Sequence, residues 1–222
     1  MTRSILMLFV VTPIFALAEG KMPFHFMKND NVFQGIITIG FNTCQIDGDG
    51  PTGYNYIGAL GGIGTNMKFS KNTSFSMELL YSMRGSVQRR ILEKNPQEVF
   101  KISTDYIEVP LCLNIKYNKA IAISGGLSPG VLIRYKSVYQ YYDYSGLPQN
   151  SYAPICLIVN PRKYDISAVG GIDYFIKEHF SIGARFLYSL IGIRPTCIGR
   201  SRARAQFHNM ISFKLTYNIS NK

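Results

Sequence analysis

Apolar and polar residues alternate along much of the chain with a period of two. In residues 73–85, TSFSMELLYSMRG, every second position from Phe75 to Met83 is apolar. The positions between them carry serine, glutamate or arginine, with Leu80 as the exception. A β-strand places alternate side chains on opposite faces, whereas a helix would scatter them around its circumference. The pattern therefore predicts a long two-faced strand.

The same pattern recurs in seven other segments. It is clear in residues 105–117, 180–190 and 207–217, and weaker in residues 33–44, 56–69, 120–135 and 164–176. The eight candidate strands are eleven to sixteen residues long. An ordinary strand has roughly 5–6 residues, and a strand that crosses a bilayer has about 9–11. Their length favours a membrane protein over a soluble sandwich.

The connections between these segments alternate in length. Residues 70–72, 118–119 and 177–179 form short turns, whereas residues 45–55, 86–102, 136–163 and 193–205 form long loops. Short turns at one end and long loops at the other are typical of outer-membrane barrels. The predicted fold is all-β: an eight-stranded antiparallel up-and-down transmembrane β-barrel with short periplasmic turns and long extracellular loops. Its interior would be just filled by side chains, which predicts no wide pore.

Periodicity alone does not say which face of the barrel points inward. A soluble exported, lipocalin-like barrel would bury the apolar face around a small ligand. A membrane barrel would turn that face to lipid, and its Tyr and Phe residues near strand ends favour this arrangement. The polar face would then form the lumen, where its four acids and five bases would have to pair. These charges are Lys68, Glu78, Glu108, Lys116, Arg134, Asp165, Asp173, Arg185 and Lys214.

The N-terminus predicts export from the cytoplasm. Arg3 precedes thirteen uncharged residues, 5–17, and Ala16-Leu17-Ala18 forms an A-x-A cleavage site. The run is short for a membrane-spanning helix, which needs about 20 apolar residues. We therefore predict a signal peptide in residues 1–18 and a barrel domain in residues 19–222.

The composition agrees with a membrane location. The chain has 15 Tyr, 14 Phe, 20 Gly and no Trp, and its formal net charge is +11. Nucleic acid is one possible partner of so basic a chain, but an anionic membrane surface is the simpler partner of an exported one.

Three stretches carry a family resemblance. QIDGDG at residues 45–50, followed by GYNYIGALGGIG, is similar to the first hairpin of the PorT-like outer-membrane beta-barrel family of Bacteroidetes-type bacteria. The family's Y-[LI]-E-[VI]-P pattern matches residues 106–110. Its EL-Y-S-x-[KR]-G pattern matches residues 78–85 with Leu80 as one extra residue. The resemblance implies a closed barrel in the outer membrane of a Gram-negative bacterium. The founding member is linked to the export of secreted proteases, which implies a possible secretion-support role.

The candidate metal and catalytic residues do not form known patterns. QIDGDG places Pro51, Thr52 and Gly58 where an EF-hand needs its fifth, sixth and twelfth residues, so a turn is the preferred interpretation and no metal or cofactor is predicted. Calcium binding at Asp47 and Asp49 stays open as an alternative. Lipid A-modifying enzymes also use barrels of this size, and they need a nucleophile beside a base. The three histidines, His25, His179 and His208, do not provide an H-x-S arrangement on the lipid face. We predict no enzymatic activity and keep the lipid A enzyme as an alternative.

The long loops carry the candidate binding residues. Arg84, Arg89 and Arg90 lie at the base of the second loop. Arginine pairs well with phosphate, so lipopolysaccharide is a candidate partner, and a plain solvated loop is the alternative. The third loop holds five tyrosines between residues 137 and 157 and is a candidate surface for a protein or glycan. Cys156 and Cys197 lie in loops on the same predicted side, where an oxidising compartment permits a disulfide. Arginines of the last loop would contact lipopolysaccharide: Arg194, Arg200, Arg202 and Arg204.

Overall fold

The protein is all-β in the part of the chain that the structure describes. A computed structural model describes residues 33–47, 53–91, 97–142, 148–149, 161–176, 179–193 and 206–219. No helix long and apolar enough to cross a membrane occurs among these residues. Their ten strands are β1 (Phe33–Asp47), β2 (Tyr56–Lys68), β3 (Thr73–Ile91), β4 (Gln97–Glu108), β5 (Leu111–Lys116), β6 (Ile121–Tyr142), β7 (Pro148–Gln149), β8 (Tyr164–Phe175), β9 (Phe180–Ser189) and β10 (Phe207–Ile219).

The strands close into a ring. β1 pairs antiparallel with β2 and with β10, and the pairing continues through β3, β6, β8 and β9. β4 and β5 occupy one shared position between β3 and β6, and β7 adds a short pairing beside β6. The ring therefore has eight strand positions and is closed by the pairing of β1 with β10. The up-and-down barrel predicted from the alternating pattern is confirmed.

The predicted fourth strand, residues 105–117, is interrupted by a proline. β4 ends at Glu108 and β5 begins at Leu111. Pro110 has no N–H group to donate to the ladder. The break is bridged by flanking groups, because the Glu78 N–H donates to the Pro110 carbonyl (3.1 Å) and the Val109 N–H donates to the Pro129 carbonyl (2.8 Å). One position in the wall thus carries two strands.

Three strands extend well beyond their predicted limits. β3 continues to Ile91, β4 begins at Gln97 and β6 continues to Tyr142, within segments that the sequence predicted as long loops. The apolar and polar alternation is absent from these upper parts, because a strand outside the bilayer has no lipid-facing side to keep apolar. The barrel wall is therefore tallest at β3, β4 and β6.

The apolar face points outward. Ile57 on β2 is 73% exposed and Ile39 on β1 is 58% exposed, whereas Thr38 and Asn42 on the other face of β1 are fully buried. An apolar exterior around a polar interior is the reverse of a soluble core. The lipocalin-like alternative is therefore wrong, because it requires the apolar face inside.

The upper part of β3 leans against the inner side of β1 and β2. The Asn42 side-chain amide donates to the carbonyl of Met83 and to the hydroxyl of Ser82, both at 3.0 Å. A Cβ placed on Gly58 would overlap the carbonyl oxygen of Met83, so the close approach needs glycine. Cys44 is buried within this region. The interior apolar cluster around it consists of Cys44, Tyr56, Cys112, Val169, Leu187 and Met210.

Candidate functional site in the barrel interior

An ion pair crosses the full width of the barrel. Arg185 on β9 donates from Nη2 to Oε1 of Glu78 on β3 at 2.5 Å, and both side chains are almost fully buried. β3 and β9 stand four positions apart in the ring of eight, so they lie on opposite walls. Thr38 on β1 donates to the other Glu78 oxygen at 3.0 Å. A single carboxylate therefore joins three strands through the lumen.

A second ion-pair cluster is centred on Arg84. Its Nη1 donates to Asp165 Oδ2 on β8 at 2.7 Å, and its Nη2 donates to the Glu108 carboxylate on β4. The guanidinium lies 4.8 Å from the centre of the Tyr106 ring, a cation–π distance. Three serines donate to the same carboxylates: Ser128 to Glu108 (3.1 Å), and Ser167 (2.9 Å) and Ser189 (3.0 Å) to Asp165.

A third pair lies on the side of β8 and β10. Lys214 Nζ is 2.9 Å from Asp173 Oδ1, and both side chains are largely buried. Lys116, also predicted in the charge network, lies 4.9 Å from the ring of Phe175. Lys68 is exposed at the end of β2. Among the described residues, neither lysine forms an ion pair with an interior carboxylate.

Arg84 is the interior residue that sequence reasoning missed. It was predicted at the base of the second loop near the outer leaflet, and this was wrong, because the side chain is fully buried between two carboxylates. Arg84 falls on the same alternating face as Glu78 and Ser82, which was the signal for an inward position. β3 continues past it, so the residue lies within the wall and below the loop.

Arg134 pairs with a residue outside the predicted set. Its Nε donates to Asp105 Oδ2 at 2.5 Å, and the Tyr81 hydroxyl donates to the same oxygen at 2.8 Å. The Arg134 side chain is 66% exposed, whereas that of Asp105 is 1% exposed. The register of β4 and β6 shifts beside Asp105, and this bulge brings Arg134 to the outward side. The predicted lumenal position of Arg134 is therefore wrong.

The first loop begins in a hydrogen-bonded base. Asp47 accepts from Gln45 at 2.8 Å and from Asn209 at 3.2 Å, and Tyr54 donates to Asn209 at 2.7 Å. Partial burial and the Asp47 charge raise the pKa of Tyr54, so its hydroxyl keeps the proton that it donates. No group of His, Cys, Asp and Glu suited to a metal ion is found in the described ranges. Asp47 is thus held by hydrogen bonds at the base of the first loop, and Asp49 lies outside the described residues.

The two described histidines lie far from any catalytic arrangement. His179 Nδ1 is 3.1 Å from the carbonyl oxygen of Asn218. His208 is buried in the lumen against the edge of the Tyr106 ring, with centroids 5.5 Å apart, and neither of its ring nitrogens has a hydrogen-bond partner. His25 lies outside the described residues. A histidine that activates a nucleophile must contact it directly, and His208 makes no such contact.

Several predicted binding residues fall outside the described ranges. Cys156 and Cys197 are among them, and the predicted disulfide stays a prediction. Cys44 and Cys112 are described, and both are free and buried. The arginines of the last loop that were predicted to contact lipopolysaccharide also lie outside the described residues: Arg194, Arg200, Arg202 and Arg204.

A closed ring of antiparallel strands with an apolar exterior and a charged, filled interior defines a transmembrane β-barrel. The chain matches the family described as "Outer membrane protein beta-barrel domain" over residues 30–194. It belongs to this family and is an integral β-barrel of the Gram-negative outer membrane. A comparison with curated proteins gave no match.

Solved outer-membrane barrels are similar in fold. Ail of Yersinia pestis, in complex with the heparin analogue sucrose octasulfate, is 12% identical, with 84% of this chain and 99% of Ail covered and a TM-score of 0.45. Neisserial surface protein A is 6% identical, with 82% and 96% covered and a TM-score of 0.39. OprG of Pseudomonas aeruginosa is 11% identical, with 85% and 95% covered and a TM-score of 0.35.

Proposed function

We propose that this barrel neither conducts solutes nor catalyses a reaction, and that its work is structural, binding or secretion support through its outer loops. The observation that carries the proposal is the pair between Arg185 and Glu78, which joins opposite walls of the lumen. An eight-stranded barrel has an interior just wide enough for side chains. Here that width is spanned by an ion pair, and Arg84 bridges two further walls.

Conductance across a planar lipid bilayer tests this proposal. We expect the purified barrel to give no stable conductance steps, because ions would have to pass two sets of paired charges. Reconstitution is checked on the same sample by protease protection and by the heat-dependent mobility of a closed barrel. Stable single-channel steps from correctly folded protein would contradict the proposal.

The histidine geometry supports a non-enzymatic role. His208 is sealed in the lumen beside Tyr106, so it does not face the acyl chains of a lipid, and Nδ1 of His179 lies against the Asn218 carbonyl. Incubation of the reconstituted barrel with lipid A, followed by mass spectrometry, tests the lipid A-modifying alternative. We expect unchanged acyl composition, and time-dependent loss or transfer of an acyl chain would establish that alternative.

A secretion-support role of PorT-like type is the finer hypothesis. It is supported by the family pattern at residues 106–110, in which Tyr106 and Glu108 contact Arg84. The same contacts offer a second explanation, in which Tyr106 and Glu108 only pack the barrel interior and have no role in secretion. The discriminating experiment is a deletion strain in which the proteins of the culture medium are quantified. Loss of specific exported proteins would support the role, and an unchanged set would remove it.

Lipopolysaccharide is the proposed lipid partner of the outer surface. The formal net charge of +11 supports an anionic partner, and arginine matches phosphate geometry. Binding of purified lipopolysaccharide by the intact barrel tests this proposal. A fourfold substitution of the last-loop arginines by Gln should weaken binding: Arg194, Arg200, Arg202 and Arg204. Unchanged binding by that variant would show that the last loop does not bind lipopolysaccharide.

A further inference from the structure

We propose that the outward face of β6 and the start of β8 bind a phosphate group of lipid A in the outer leaflet. The site consists of Arg134, Lys136 and Arg162, all with exposed side chains. None of them belongs to the last loop, so this site is separate from the four arginines proposed above. The inference rests on the proposed contact with lipopolysaccharide and gives it a position on the barrel wall.

The three cations lie where the apolar exterior ends. On β6 the exposed residues Val131 and Ile133 are followed directly by Arg134, and Lys136 comes two residues later. Before β8, Arg162 precedes the exposed residue Tyr164 by two positions, on the same side of the chain. The strands are in register at this height, since Val131 pairs with Tyr164 and the Leu132 N–H donates to the Lys163 carbonyl at 2.7 Å. Both strands therefore change from apolar to basic at one level.

One cation of the group is fixed in position. Asp105 holds the Nε of Arg134 at 2.5 Å, and Tyr81 reinforces the arrangement by donating to the same carboxylate oxygen. In a second contact, Arg134 Nη2 donates to the Tyr81 hydroxyl oxygen at 3.4 Å. Two thirds of the Arg134 side chain stays exposed, so the guanidinium is oriented without being enclosed. An arginine fixed in this way loses little freedom when it binds phosphate.

Among the described residues, the charge at this level is one-sided. The site has three cations against the single carboxylate of Asp105, a net charge of +2. On the opposite side, at the rim of β1 and β10, Asp47 is surrounded by the neutral side chains of Gln45, Asn209 and Tyr54. An anion in the outer leaflet is therefore drawn to the β6–β8 side of the barrel.

The apolar residues directly beneath select the source of the phosphate. Val131, Ile133 and Tyr164 offer an apolar surface to acyl chains immediately below the cations. Lipid A carries its phosphates directly above its acyl chains, so one molecule satisfies both parts of the surface. Free inorganic phosphate would use the cations and leave the apolar surface unexplained.

Native mass spectrometry of the full-length barrel, titrated with bis-phosphorylated lipid A, tests the inference. The site variant is Arg134→Gln/Lys136→Gln/Arg162→Gln. The control variant is Lys68→Gln/Lys71→Gln/Lys119→Gln, which removes three exposed cations at the periplasmic turns. We expect the site variant to lose roughly fivefold in lipid A affinity per removed charge and the control to match the unmodified protein. Heat-dependent mobility confirms that each variant is folded.

Three results would overturn the inference. The first is equal lipid A binding by the site variant and the control. The second is equal binding by the unmodified barrel of lipid A from which both phosphates have been removed. The third is displacement of lipid A by inorganic phosphate at comparable concentration. The last-loop variant separates the two proposals: if it alone weakens binding, this site fails and the broader lipopolysaccharide contact stands.

Discussion

Arg185 and Glu78 meet at 2.5 Å in the middle of the barrel, although they belong to strands on opposite walls and are 107 residues apart in the chain. Neither side chain has access to solvent. A buried charge that loses its partner is left unpaired in a medium that solvates it poorly. The pair therefore holds the two walls together more through the penalty of breaking it than through its net attraction.

Breaking this pair from one side should destabilise the barrel strongly. We expect Arg185→Met to lower the free energy of unfolding by about 3–5 kcal/mol, because Glu78 is left buried with only Thr38 as a donor. Urea unfolding in phospholipid vesicles measures the change. The double variant Glu78→Gln/Arg185→Met should lose less than the sum of the single variants. Additive losses would show that the two residues are not energetically coupled.

Arg84→Met should be at least as destabilising, since Arg84 neutralises two carboxylates. Asp165 and Glu108 would then be buried together without a cation, held only by serine hydroxyls. Arg84→Lys should recover part of the loss, because a single ammonium replaces the charge but not the fork-like geometry. The same urea measurement applies. A loss for Arg84→Met below that for Arg185→Met would contradict the central position assigned to Arg84.

An arginine in the middle of the apolar exterior should be poorly tolerated. Ile39 lies near the centre of β1 and faces outward. We expect Ile39→Arg to lose about 2–4 kcal/mol and Phe33→Arg, at the strand end, about 0–1 kcal/mol. Folding yield and unfolding free energy in vesicles compare the two variants. Equal losses would mean that the apolar exterior does not sit across the bilayer as proposed.

Gly58 and Gly170 form a matched pair of glycines. A Cβ on Gly58 would overlap the Met83 carbonyl, whereas a Cβ on Gly170 meets nothing within 4 Å. We expect Gly58→Ala to cost about 1–3 kcal/mol and Gly170→Ala to be neutral or slightly stabilising. Unfolding free energies of both variants decide the matter. A neutral Gly58→Ala would show that β3 does not press against β2 at this point.

The cysteines allow a simple chemical test. Cys44 and Cys112 are buried, so a water-soluble maleimide should not label them in the folded barrel. If Cys156 and Cys197 are joined, the non-reduced protein should take up no label, and mild reduction should expose two thiols. Label on the two loop cysteines before reduction would contradict the predicted disulfide. Label on Cys44 or Cys112 would contradict the closed interior.

The sequence predicted the wall of the barrel better than its rim. A transmembrane strand must be apolar towards lipid at every second residue, so residues 73–85 and 180–190 were recognisable at once. Above the bilayer the outer face of a strand meets water and need not be apolar, so the pattern disappears although the strand continues. For that reason the extensions of β3, β4 and β6 were predicted as loops.

Individual interior residues were harder to predict, because alternation breaks at a bulge. The register shift beside Asp105 turns Arg134 outward, and no feature of its neighbours in the sequence marks that shift. Lys68, at the end of β2, keeps its predicted face but lies where the rim is open to water. Glu78 and Arg185, near the middle of their strands, were placed on the inward-facing side by alternation alone.

The pairing of the interior charges also constrains how the chain reaches its final form. Arg84 pairs with Asp165, 81 residues further along the chain, and Glu78 pairs with Arg185. Strand β3 therefore carries two charges whose partners are synthesised later. A sheet that stopped growing after β6 would hold Glu78 without its cation and Arg84 with only one of its two carboxylates, on a face not yet sheltered from water. Completion of the ring removes these charges from water in the same step that pairs them. A half-inserted intermediate therefore gains little stability from the ion pairs of the lumen. We therefore expect this barrel to assemble cooperatively, with closure of the ring as the step that completes the pairing of its buried charges.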